Sequence, residues 1–74
     1  MRTITDSAGA RWDVLVGRES WGTHVLLFVP RDGGDTRQVV LAAETATEAE
    51  RELDGLSDGR LVEMLGEATV WGGE

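Results

Sequence analysis

Seventy-four residues without a cysteine bound the chain to one small domain, held by apolar packing alone, with neither a disulfide framework nor thiolate metal ligands. The net charge is −7, and its whole excess lies in residues 44–74, where nine acids face only Arg51 and Arg60; residues 1–43 balance five acids with five arginines. The absence of a basic stripe argues against direct nucleic-acid binding, and the longest apolar run, 25–29, is far too short to cross a membrane.

From Arg2 to Ala42 apolar residues recur with period two, which predicts strands over 2–5, 10–16, 23–29 and 37–42. Asp6-Ser7-Ala8-Gly9 suits a three-residue hairpin loop with Gly9 in the left-handed conformation. Residues 17–22 read as a longer connection, and Pro30-Arg31-Asp32-Gly33-Gly34-Asp35 as a turn cluster that Pro30 opens by ending the strand before it. Short links between neighbours favour an antiparallel meander.

Helical spacing begins at Thr45. Thr47 with Glu50 reads as a capping box that opens a helix over 47–54, stopped by Gly55, with Ala46, Ala49, Leu53 and Leu56 inward. Ser57 caps a second helix over 58–68, whose Leu61, Met64, Leu65 and Ala68 form one apolar stripe. Residues 70–74 read as a tail beyond a single domain of residues 1–69. The predicted fold is therefore α+β: a four-stranded antiparallel meander, then two short C-terminal helices packed on one sheet face.

Pairing Val14 with Val25, and Val25 with Leu41, aligns the longer hairpins and divides the faces. Ile4, Trp12, Val14, Val16, Val25, Leu27, Val29, Val39 and Leu41 then face the helices. Arg11, Asp13, Leu15, His24, Leu26, Phe28, Gln38, Val40 and Ala42 share the other side, a mixed surface with an apolar strip. A solvated antiparallel face normally alternates more cleanly.

The chain offers little chemistry. His24 is the only histidine, and Ser20, the nearest serine, lies in a loop without a nucleophile-elbow pattern. Asp32 and Asp35 flank two glycines but lack the other oxygen ligands of a calcium loop. Residues 17–22 join two strands and lack the helix N-terminus and lysine of a phosphate cradle. No catalytic, cofactor or metal residues are assigned, and the expected role is non-enzymatic.

The expected activity is protein–protein contact, by self-association or with another protein, through the open sheet face. Its candidate residues are Arg11, Leu15, Arg18, Trp21, His24, Leu26, Phe28 and Val40. The alternative is an acidic nucleic-acid mimic that inhibits a DNA- or RNA-binding protein through Glu48, Glu52, Glu63 and Glu67, since glutamates at i and i+4 lie about 5–6 Å apart on a helix. Every basic residue is arginine, and lysine, asparagine and tyrosine, whose codons are A/T-rich, are absent. A G+C-rich bacterial or phage genome is therefore the expected source. With no secretory signal at the N-terminus, the expected location is the cytoplasm.

Overall fold

The computed structural model describes residues 2–19 and 22–71. Four strands, β1 (Arg2–Thr5), β2 (Arg11–Arg18), β3 (His24–Pro30) and β4 (Arg37–Val40), precede two helices, α1 (Ala46–Gly55) and α2 (Asp58–Glu67). A fifth strand, β5 (Thr69–Val70), follows, and the sheet is antiparallel throughout in the order β1-β2-β3-β4-β5. The α+β class and the meander are as the sequence predicts. The start of the predicted tail is instead β5: it pairs with Arg37 and Gln38, and Trp71 N–H donates to Thr36 O at 2.9 Å.

The turns determine the register. Asp6 N–H donates to Ala10 O and Gly9 N–H to Asp6 O, with Gly9 at φ +87°, where a side chain would be strained. Glu19, Gly22 and Thr23 repeat both bonds at the same spacing, with Gly22 at φ +86°. Residues 17–22 are thus not a long connection. β2 runs on through Gly17 to Arg18, and Val14 pairs with Phe28 rather than Val25.

That displacement is odd, so it turns β3 over relative to the predicted faces. β3 and β4 differ from the predicted alignment by one residue, Val25 pairing with Val40. Leu26 and Phe28 therefore lie with Ile4, Val14 and Leu41 beneath the helices, in one cluster with Ala49, Leu53, Leu61, Met64 and Leu65. Val25 and Leu27 are buried outside that cluster, on the opposite side of β3. Gly17 admits this arrangement: a Cβ there would meet Leu27 Cδ1 at 2.5 Å.

The helices start where side chains satisfy their free N–H groups. Thr45, not Thr47, caps α1: its Oγ1 accepts from Glu48 N–H at 3.1 Å, while Glu48 Oε2 accepts from Glu44 N–H at 3.1 Å. The capping box lies two residues earlier than the sequence suggests, and Ala46 is consequently exposed. Ser57 caps α2 as expected, through Arg60 N–H at 3.1 Å. α1 rests on β2 and β3, and α2 on β1 and β4.

Arg2 ties the helical elbow to the sheet edge. Its Nη1 donates to Leu53 O at 2.9 Å and to Leu56 O, and its Nη2 to Asp58 Oδ1. α1 has no basic residue in its last turn, so the guanidinium meets its negative dipole end from another element. Asp58 is largely exposed, so solvent screens that ion pair and the carbonyl contacts dominate.

Two measurements check this fold. Leu26→Ala should cost about 2–5 kcal/mol in urea unfolding, whereas Val40→Ala, at a site 60% exposed, should cost less than about 1 kcal/mol. Equal costs would contradict the register. Arg2→Met should cost about 1–3 kcal/mol by leaving the Leu56 carbonyl without its donor, and retention of wild-type stability would show that the elbow holds itself.

Candidate functional site

The helices cover one side of the sheet, and no described helix crosses the other. Strand alternation places Arg11, Asp13, Leu15 and Gly17 of β2 on this open side. Their neighbours are Val25, Leu27 and Val29 of β3, then Gln38 and Val40 of β4. Leu15 and Val29 are half-buried, and Val40 is the most exposed large apolar residue among those described. Val25 and Leu27 at the centre are buried, so the accessible apolar residues are Leu15, Val29 and Val40, bordered by Arg11, Asp13 and Arg31, where Arg31 Nε lies 3.7 Å from Asp13 Oδ1.

Of the predicted interaction residues, Arg11, Leu15 and Val40 lie here. Arg18 is exposed but alternates to the helix side at the end of β2. Trp21 and the neighbouring Ser20 lie outside the described residues. Leu26 and Phe28 are fully buried under the helices and His24 is 7% exposed, so these three do not form the open surface. The pairing of β2 with β3 turns Val25, Leu27 and Val29 to this side instead, where Val25 and Leu27 are buried and Val29 alone is partly accessible.

His24 Nδ1 and Gln38 Oε1 are buried without a hydrogen-bond partner among the described residues. No described group of three or more His, Asp or Glu residues could hold a metal ion. A shallow depression at the β3–β4 turn is lined by Trp12, Pro30, Gly33 and Gly34, with Arg11 and Arg37 set against Asp32 and Asp35. Its charges balance and select no sign of ligand.

Glu48, Glu52, Glu63 and Glu67 are all exposed on the helices. Two of them have local work: Glu48 completes the α1 cap, and Glu63 lies 3.6 Å from Arg60. No described helix is long and apolar enough to cross a membrane. No family model, curated protein or solved structure matches the chain.

The structure adds one feature that spacing did not show. The Asp6 carboxylate accepts from Trp12 Nε1, Ala8 N–H and Ala10 N–H, each at 2.9 Å. These bonds, the indole's foremost, hold its pKa below the ordinary aspartate value. The first hairpin, which carries Arg11 to the open face, is thereby braced at its turn. Aspartate and tryptophan six residues apart gave no periodic signal; only the loop geometry joins them.

A lowered folded pKa gives stabilisation that is complete above the ordinary aspartate value and is lost as pH falls through the folded one. Asp6→Asn should therefore be less stable than wild type at neutral pH, and the two should converge in acid below the folded pKa. Urea unfolding across that pH range, with the Trp12 indole N–H resonance as a local probe, measures this. A constant gap into strong acid would assign the effect to something other than ionisation.

Proposed function

We propose that this protein works without catalysis, as a protein-binding module that uses its open sheet face. The observation that carries this reading is the placement of Leu15, Val29 and Val40 on the side opposite both helices, with Val40 60% exposed. One face of an antiparallel sheet can be solvated, but such a face is usually polar at alternate positions. Here the accessible positions Leu15, Val29 and Val40 are apolar, Val25 and Leu27 between them being buried, and charge is confined to the ends of β2 and its turns. An apolar strip rimmed by polar groups is the common anatomy of a contact surface.

The acidic-mimic alternative draws less support, because Glu48 and Glu63 serve the helices that carry them. The arginine-only basic set and G+C-rich residue usage support a bacterial or phage source, with the cytoplasm as the place of action.

Differential capture from cells of the source organism tests this reading. Bait carrying Val40→Asp should lose partners that wild type retains, while bait carrying Glu52→Arg, on the outer helical surface, should keep them. Partners that survive Val40→Asp and vanish with Glu52→Arg would transfer the function to the helices.

A further inference from the structure

We propose that the partner at this face is a second copy of the chain, seated face to face about a twofold axis that crosses the strands at the Leu15–Leu27 row. This rests on the open face being a binding surface, and it names the occupant.

The first argument is the distribution of charge. The whole net charge of −7 belongs to residues 44–74, whereas residues 1–43, which supply four of the five strands, are neutral. Both helices pack on the side away from the open face. The molecule is 19 Å in its thinnest dimension, so two copies joined through their sheets carry their acidic helices on the far outsides. That separation exceeds several times the screening length of about 8 Å at physiological ionic strength. Association through the helical surfaces would instead bring like charges together.

The second argument is the order of charges along β2. Its open-face positions are Arg11, Asp13, Leu15 and Gly17, and alternation continues to Glu19, still bonded to Thr23. Arg31 approaches Asp13 at 3.7 Å, while neither Arg11 nor Glu19 has an ion-pair partner among the described residues. Arg11 and Glu19 stand equally far from Leu15 along the strand and carry opposite signs.

A twofold axis in the plane of the face has two simple orientations. Parallel to the strands, it sets Arg11 over the second copy's Arg11. Perpendicular to them at Leu15, it sets Arg11 over the second copy's Glu19 and repeats that pair by symmetry. It also brings the partly accessible Leu15 near its own mate. The charges select the perpendicular axis.

The size also suits a dimer. The broad side of the molecule measures 33 × 27 Å, comparable with the roughly 800 Å² per partner that stable interfaces bury. Two such sheets would stack about 10 Å apart with their strands nearly aligned.

Sedimentation equilibrium at low salt, with near-ultraviolet circular dichroism to confirm folding, tests the arrangement. Wild type should dimerise, and Val40→Asp should lower its association constant. Arg11→Glu and Glu19→Arg should each weaken self-association by about tenfold, because each replaces two attractions with two repulsions. Mixing the two variants should restore association as a heterodimer, since each repulsive pair then becomes attractive. The double variant Arg11→Glu, Glu19→Arg should dimerise like wild type.

A wild type that stays monomeric to its solubility limit overturns the second copy as occupant; differential capture with Val40→Asp then decides the fate of the face itself. A dimer indifferent to Val40→Asp overturns the use of this face. A dimer sensitive to Val40→Asp whose charge variants fail to rescue one another overturns the axis.

Discussion

The pairing of β2 with β3 decides which side of the central strand meets the helices. It depends on a tight turn and on a residue without a side chain. The bonds among Glu19, Gly22 and Thr23 bring the strands together directly after Arg18, and Gly17 leaves the space that Leu27 occupies. With that register Leu26 and Phe28 enter the core beside Val14, and the two capped helices have an apolar surface to lie on. A shift by one residue would place His24, Leu26 and Phe28 on the far side of the sheet, because strand side chains alternate with period two.

The helical layer has few other means of attachment. Each helix is ten residues long and carries net negative charge, so neither is stable alone in water. Apolar packing supplies the adhesion and Arg2 the placement, since one guanidinium reaches the last carbonyls of α1 and the first turn of α2. The acid-rich segment is thus oriented by a cation from the neutral segment, and its outer surface is left to water. The charge split along the chain becomes a split between two sides of the molecule.

Much of this was legible in the residues. Ile4, Trp12, Val14, Val16, Val39 and Leu41 fall at every second position of their strands, and their predicted face is the one the helices cover. Ser57 and the stripe from Leu61 to Ala68 behave likewise. β3 did not yield to the same reasoning, because Val25 through Val29 is continuously apolar and either side of it would make a core. Gly17 held the missing information: in a strand, glycine often marks a close approach rather than an end. The candidate residues divide accordingly: Arg11, Leu15 and Val40 lie on the side away from the helices, while Leu26 and Phe28 lie beneath them. Thr45 was overlooked for a related reason, since Thr47 offers an equally good capping box on paper.

β5 has a consequence for how the chain reaches this state. β1 to β4 pair with neighbours across short turns, so those contacts close at little entropic cost. The bonds of Trp71 to Thr36 and of Arg2 to Leu53 join distant parts of the chain instead, the latter across 51 residues. The meander can close before the helices dock, but the outer edge of β4 stays uncovered until residues 69–71 pair with it. Until then that edge is an open template for a neighbouring strand. Two residues of strand that follow both helices therefore set how long the folding protein is vulnerable to mispairing.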